Sequence, residues 1–290
     1  MPDAPALAAA FDSPGADAHP VGLAVVVEQR YLHQRQPAGL IAALEARNVR
    51  VSVTDPDLLV HDFTSRPWIA AASAVVARGR SLALVTAMAV AERFGVRTIN
   101  RSSAVLAVRD KAAMAAALVA ADIPTPDTWV GPPAELARSI RSSAYPVVLK
   151  PVFGDNARGI RVITGAQELL SLPWPEDTAL AQPLVPGDGT DVKVYAVGSR
   201  YWAVRVPSPL LPAGDASGRA PEPLPLTGEL GALADACGQL FGLELFGVDC
   251  LDTPDGPVVV EVNDFPNYRG VPEASEVLAD HVVNEIGARV

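Results

Sequence analysis

The chain has 290 residues, close to half of them apolar and few of them aromatic, and a formal charge of −10. That length supports two or three layers around an Ala-, Val- and Leu-rich core, with room for subdomains. The acidity argues against nonspecific binding to nucleic acid or an anionic membrane, though a local basic pocket remains open, and no apolar run reaches membrane-spanning length.

Residues 1–20 are rich in Pro, Ala and Asp and lack the basic start of a signal peptide; a loose tail and a cytoplasmic location are expected. Val21–Val27 is an apolar run of strand length. Gln36–Asn48 carries Leu40, Ile41 and Leu44 at helical spacing, and Val49–Val53 is a second strand. This βαβ opening favours a parallel sheet, but it has no G-x-G-x-x-G and hence no dinucleotide fingerprint. Ser73–Ala77 is a further strand, followed by Arg78-Gly79-Arg80. Arginines at a strand end either meet a ligand, as in open α/β sheets, or are solvated surface groups. Ser81–Phe94 is a helix stopped by Gly95, and Val96–Ile99 is a strand.

Ser102 caps a short helix, Arg109-Asp110-Lys111 leads into an Ala-rich helix ending near Ala121, and Ile123-Pro124-Thr125-Pro126 marks a subdomain junction. Trp129–Val130 is a short strand, Glu135–Arg141 a helix, and Tyr145–Pro151 a strand that carries Lys150 near its end. The glycine-bearing loop Phe153–Gly159 follows, then the strand Ile160–Ile163. Such a loop can fold backbone N–H groups over phosphates while Lys150 supplies a point charge; the alternative is an ordinary hairpin with a solvated lysine. Gly165–Leu172 is a helix, and Thr178–Leu184 an apolar strand ending in Gln182-Pro183-Leu184. After the turn cluster Pro186–Thr190 come two strands, Asp191–Val197 and Tyr201–Val206, with Lys193 and Tyr195 on one face of the first. Pro207–Leu226 is proline-rich and reads as a loop; Gly228–Phe241 is a helix capped by Thr227. The two cysteines, Cys237 and Cys250, lie in apolar segments without His or Cys at metal spacing and read as reduced core thiols.

Leu245–Pro272 reads as two strands around the turn Thr253-Pro254-Asp255-Gly256. A hairpin centred on Asp255 sets Asp249 opposite Glu261, and alternation puts Asn263 on the face of Glu261. Two facing carboxylates are unfavourable unless a cation lies between them, and two carboxylates with an amide suit Mg²⁺ or Mn²⁺. The alternative is a solvent-facing hairpin whose acids are hydrated. A final amphipathic helix carries Ala274, Leu278, Val282 and Ile286 on one face.

Taken together, Arg109-Asp110-Lys111, Lys150-Pro151 with the loop to Gly159, Gln182-Pro183-Leu184, Asp191–Tyr195 and Asp249…Glu261-Val262-Asn263 make the chain resemble the ATP-grasp superfamily from about Val21 to the C-terminus. The resemblance implies an α/β (α+β) fold: a tail (1–20), an N-terminal α/β domain (21–108), a central lid domain (109–181) and a C-terminal domain with the metal site (182–290), ATP lying between the last two. It implies that Lys111, Lys150 and the loop ending at Gly159 contact ATP phosphates. Gln182 would sit by the adenine, with the Pro183 carbonyl accepting and the Leu184 N–H donating, and Asp191 would reach the ribose. Lys193 and Arg205 would lie near the transferred phosphoryl group, and Asp249, Glu261 and Asn263 would hold Mg²⁺ (or Mn²⁺).

Two groups within the superfamily share features with this chain. Glu261-Val262-Asn263 is similar to the RimK-type carboxylate–amine ligases. Lys193–Gly198, Arg205–Ser208 and Asn263–Tyr268 are similar to the inositol polyphosphate 5/6-kinases, although no histidine lies between Gly187 and Thr190 where those kinases carry one. A carboxylate acceptor needs no base, whereas an alcohol benefits from one, and no histidine lies in these motifs. The expectation is a ligase acting on small-molecule carboxylate and amine substrates, a homo-oligomer being compatible with it. The alternatives are an ATP-dependent polyol kinase and a nucleotide-binding protein without catalysis.

Overall fold

The computed structural model describes residues 22–154, 158–186, 189–208, 210 and 220–287. The expected tail, the middle of the 153–159 loop, part of the 186–190 turn and most of the proline-rich segment lie outside the described residues. The chain divides into two compact units. The first comprises residues up to Val105, Phe265–Tyr268 and Pro272 onward; the second comprises Leu106–Asp264 and Arg269–Val271.

In the first unit, β1 (Gly22–Val27), β2 (Arg50–Thr54), β3 (Ala74–Arg78) and β4 (Arg97–Ile99) form a parallel sheet in the order β2-β1-β3-β4. Every residue of β1 is buried, which is why it reads as an unbroken apolar run. The crossovers are helical: α1 (Gln29–Leu32) and α2 (Arg35–Ala46) follow β1, and α3 (Leu82–Arg93) follows β3. The Ser81 hydroxyl caps α3 by accepting from the Leu84 N–H. The C-terminal helix α9 (Ala274–Gly287) packs on α2. Gly39 permits the approach, since a Cβ there would stand 2.2 Å from the Ser275 hydroxyl.

Arg78, expected just past the strand, is the last residue of β3. Its guanidinium lies over the Tyr31 ring, 4.9 Å from the centroid, and donates to the Phe265 carbonyl. Beside it Glu28 is 3% exposed. Its carboxylate accepts from the backbone N–H groups of Arg80 and Ser81 and from Arg30. Burial works against ionisation here, yet these donors outweigh it and hold the Glu28 carboxyl below its ordinary value.

The second unit holds two antiparallel sheets. One has the order β5-β8-β6-β7, from β5 (Trp129–Gly131), β6 (Val147–Pro151), β7 (Arg161–Ile163) and β8 (Ala179–Pro183). Helices α6 (Pro133–Ser139) and α7 (Ala166–Ser171) cover it through Leu136, Ile140, Leu149, Ile163 and Leu169. The other has the order β11-β10-β9-β12-β13, from β9 (Thr190–Val197), β10 (Arg200–Pro207), β11 (Glu222–Leu224), β12 (Leu245–Thr253) and β13 (Gly256–Asp264). Helix α8 (Gly228–Phe241) packs against its strands. Cys237 and Cys250 are buried free thiols, as expected, and burial pushes Cys237 up to about 12. Two further helices, α4 (Ser102–Arg109) and α5 (Lys111–Ala120), meet end to end at Asp110, whose carboxylate caps α5.

The expected organisation changes in three places. Gln182 and Pro183 belong to the β8 strand, so the break between the sheets falls after them rather than at residue 181. The last helix belongs with the first unit, so 182–290 is not one unit. Residues 222–224 form a strand instead of loop: they pair with β10 at the sheet edge, where a proline such as Pro223 is tolerated because its missing N–H breaks no interior ladder.

Candidate active site

The acidic hairpin places two carboxylates face to face. Strands β12 and β13 pair with Asp249 opposite Glu261 and Gly247 opposite Asn263. The turn residues Thr253 and Gly256 pair directly, so a regular ladder would set Val260 against Asp249; a register shift after Asp249 leaves Val260 as an extra residue and brings Glu261 into place. Asn263 joins them, its amide nitrogen 3.3 Å from Asp249 Oδ2. All three metal candidates therefore meet on one face.

The same face supplies the counter-charges. β9 pairs with β12 so that Lys193 lies opposite Asp249, with Lys193 Nζ 2.9 Å from Asp249 Oδ1. Lys111, the first residue of α5, reaches Glu261 Oε1 at 3.0 Å and donates to the Gly154 carbonyl, also at 3.0 Å. Burial pushes the Asp249 carboxyl up against the pull of Lys193. Burial alone would push the Lys193 ammonium down, but Asp249, Tyr195 and Glu261 hold it up. Asp191 is likewise pushed up by burial, with Asp249 adding repulsion and Ser208 and Lys193 opposing.

Lys150 and Gln182 are diagonal neighbours on β6 and β8, because Val148 pairs with Gln182. Lys150 Nζ donates to Gln182 Oε1 at 2.8 Å, and Gln182 Nε2 donates to the Thr128 hydroxyl at 3.0 Å. The two bonds fix which way the buried amide points. Burial lowers Lys150, while Glu261, Asp249 and Asp191 pull it back up. Lys111, Lys150 and Gln182 line one shallow pocket together with Met114, Leu180 and Val260. Gly159 has φ +78 and closes against Pro151, a backbone shape that favours glycine.

Two expectations about individual groups do not hold. Leu184 does not offer a free N–H: the β6–β8 ladder runs one residue further and delivers it to the Pro146 carbonyl at 2.8 Å. Arg205 is not brought beside Lys193. It pairs with Val192, whereas Lys193 pairs with Val204, and a one-residue offset turns a strand side chain to the opposite face. The structure adds partners the sequence reading did not name, Thr128 for Gln182 and Asp264 for Arg109.

Three lysines (Lys111, Lys150, Lys193) and three carboxylates (Asp191, Asp249, Glu261) thus balance one another in one cluster. Two carboxylates and an amide oxygen on one face suit a hard divalent cation, and the lysines have the reach and charge to hold phosphates. That donor set fits both groups.

The sequence profile of the ATP-grasp domain matches residues 108–266, more than half of the chain. The chain belongs to the ATP-grasp family, whose members use ATP and, in general, a divalent metal. It is 28% identical over 190 residues to the alpha-aminoadipate–LysW ligase LysX of Sulfurisphaera tokodaii, covering 61% of this chain and 67% of that protein. It is 27% identical over 175 residues to the tetrahydromethanopterin:alpha-L-glutamate ligase of Methanococcus maripaludis, covering 56% of this chain and 60% of that one. A probable alpha-L-glutamate ligase of Legionella pneumophila is 26% identical over 206 residues, covering 67% and 68%. The chain thus spans between three fifths and about two thirds of the length of these relatives.

Among solved structures, the RimK domain ATP-grasp protein of Sphaerobacter thermophilus superposes with a TM-score of 0.73 at 22% identity, over 90% of this chain and 99% of that one. The ATP-grasp ligase PsnB, complexed with a precursor peptide and AMPPNP, gives 0.70 at 20% identity, over 91% and 98%. These neighbours share the fold. Relatives and family together make the chain an ATP-dependent ligase of the ATP-grasp family and do not favour a kinase.

Proposed function

We propose that this ligase joins a carboxylate to an amine through an acyl phosphate, with Mg²⁺ held by Asp249, Glu261 and Asn263. Bound ATP supplies the γ-phosphoryl group that activates the carboxylate, and the amine then displaces inorganic phosphate and gives up a proton, leaving an amide. Lys111 and Lys150 hold the phosphates, each exchanging a protein oxygen for a phosphate oxygen, and Gly159 contributes to the same phosphate site. Gln182 reads the adenine edge with its amide orientation kept by the Thr128 hydroxyl once Lys150 has turned to the phosphates, and the Pro183 carbonyl accepts from the adenine amino group. Asp191 reaches the ribose. Lys193 steadies the transferred phosphoryl group once it leaves Asp249.

The observation that carries this reading is the facing pair Asp249 and Glu261, each already matched to a lysine that phosphates can draw away. The relatives are named for glutamate or α-aminoadipate, and we take one of the two joined molecules to be an amino acid of that dicarboxylic class. The other is a small molecule or a peptide. Neither nucleic acid nor membrane enters the scheme; among the described residues no helix is long and apolar enough to cross a membrane. A cytoplasmic location and a homo-oligomer are compatible with it.

The test is stoichiometry. The purified protein, screened with ATP, Mg²⁺, amino acids and candidate carboxylates, should release ADP and inorganic phosphate in equal amounts, and only when both substrates are present. ADP without free phosphate, together with a phosphorylated acceptor, would replace the ligase by a kinase.

A further inference from the structure

Strand β13 carries two of the three proposed metal ligands, yet it is the edge strand of its sheet. An edge strand has one row of N–H and C=O groups without a strand partner and bends easily. Here that edge is held from outside. The Val259 N–H donates to the Pro124 carbonyl at 2.7 Å, and the Val262 N–H donates to Met114 Sδ at 3.2 Å. Outward N–H groups of a regular strand recur every second residue; these two are three apart because the extra residue, Val260, lies between them. A thioether is a weak acceptor, so Met114 guides this edge more than it anchors it.

The firm contact lies one residue past the last ligand. Arg109 Nη2 stands 3.1 Å from Asp264 Oδ2, and the two side chains are 8% and 6% exposed. Arg109 is the last residue of α4, and Lys111, which meets Glu261, is the first of α5. The Arg-Asp-Lys junction therefore grips the ligand-bearing stretch at both ends, at Glu261 and at Asp264, with Met114 between them at Val262. Among the described residues, the weak 3.3 Å bond to Asp249 is the one side-chain bond that orients Asn263 within the site. A buried ion pair on the next residue is a stiffer constraint on its backbone than that bond.

We infer that the Arg109–Asp264 pair is a positioning device for the metal site: it fixes the end of β13 so that Asn263 presents its oxygen on the face of Asp249 and Glu261. The inference rests on the metal-ligand reading above. It gives Arg109 and Asp264 a role distinct from ligation, since neither belongs to the ligand set.

The experiment measures Mn²⁺ binding to the full chain in the presence of ADP, by the electron paramagnetic resonance signal of free Mn²⁺, alongside urea unfolding. Arg109→Met is expected to weaken Mn²⁺ binding by about tenfold or more, the usual size for residues that orient ligands, while ADP affinity without metal stays at the wild-type level. Because Arg109→Met leaves Asp264 as an uncompensated buried charge, Arg109→Met/Asp264→Leu is made as well. Removing both charges should return the unfolding midpoint toward wild type but leave Mn²⁺ binding weak. If the double variant recovers Mn²⁺ affinity together with stability, the pair is only a structural bond and the inference falls. Asn263→Ala separates the two levels of the argument. If it binds Mn²⁺ like wild type, the ligand reading itself has failed; if it binds weakly while Arg109→Met does not, only the positioning role is lost.

Discussion

In the parallel sheet of the first unit, the acid at the end of β1, Glu28, is held by backbone N–H groups at fixed places. In the five-stranded sheet of the second unit, Asp249 and Glu261 are held by ammonium groups at the ends of flexible lysine stems. The charges are alike and both sets are satisfied, but the partners differ in what they can do next. A backbone N–H cannot leave without unfolding its turn, so Glu28 is tied to stability. A lysine can rotate away and exchange its carboxylate for a phosphate, which leaves the carboxylate to a cation. Satisfaction by mobile partners is what a binding site needs, and satisfaction by backbone is what a frame needs.

Glu261→Ala should disable the binding site and leave the frame intact. We expect turnover to fall by at least about a hundredfold, because metal and positioning effects are each worth several kcal/mol. Stability should change by less than about 1 kcal/mol, since the Lys111 pair is partly exposed. A coupled assay for ADP together with a urea curve checks both; near-normal Mg²⁺-dependent turnover would sink the metal assignment.

Glu28→Ala should show the reverse pattern. Two backbone N–H groups lose their acceptor in a buried setting, which costs roughly 2 kcal/mol of stability. Mn²⁺ affinity measured with ADP should not move. A variant of unchanged urea midpoint would mean that the N–H contacts to Glu28 are incidental.

How far these two kinds of acid could be told apart from sequence depends on which physical signal each leaves. The elements were readable because apolar runs and alternation report burial directly, as in β1 and β9. The facing of Asp249 and Glu261 was also anticipated, from a hairpin centred on Asp255; the structure reaches the same pair through a tighter turn and an extra residue at Val260, a combination that no pattern of residue types announces. Which face a side chain takes depends on register, so Arg205, which the resemblance sets near the transferred phosphoryl group with Lys193, turns to the opposite face. Ladder length decided the fate of the Leu184 N–H. The packing of α9 back onto α2 depends on tertiary contacts such as that between Gly39 and Ser275, and a chain read in order has no marker for it. Glu28 left a faint signal, a lone acid directly after six buried residues, and Asp264 left none beyond standing next to Asn263.

Lys193→Met removes one of the mobile partners and should have a smaller effect. With the ammonium gone, Asp249 meets an incoming cation without a competitor. Mn²⁺ binding without nucleotide should tighten by about tenfold, equivalent to about 1.4 kcal/mol, even as turnover falls. Titration calorimetry without nucleotide reads this directly. Weaker Mn²⁺ binding in the variant would show that Lys193 supports the cation instead of holding its place.

The smallest expected effect is on the acid side of the stability profile, and it follows from the frame carboxylates. Glu92, like Glu28, is held below the ordinary value of 4.5: burial acts to raise it, but the Ser102 hydroxyl, the Thr98 hydroxyl and the Ser102 N–H outweigh burial. Ser102 donates to it from both hydroxyl and N–H at 2.6 Å. A carboxylate that binds its proton more weakly in the folded state than in the unfolded one adds stability that is complete above the unfolded value of 4.5 and drains away as pH falls through the folded value. Glu92→Gln keeps an acceptor oxygen but removes the charge. At about pH 6 the variant should be less stable by about 1 kcal/mol, the difference between charged and neutral acceptors. Below the ordinary glutamate value the gap should narrow, because the wild-type carboxyl is then being protonated as well. Urea midpoints taken between about pH 6 and pH 3 test the convergence. Two parallel profiles would mean that Glu92 holds its partners equally well with or without charge, and that the frame relies on the geometry of its donors alone.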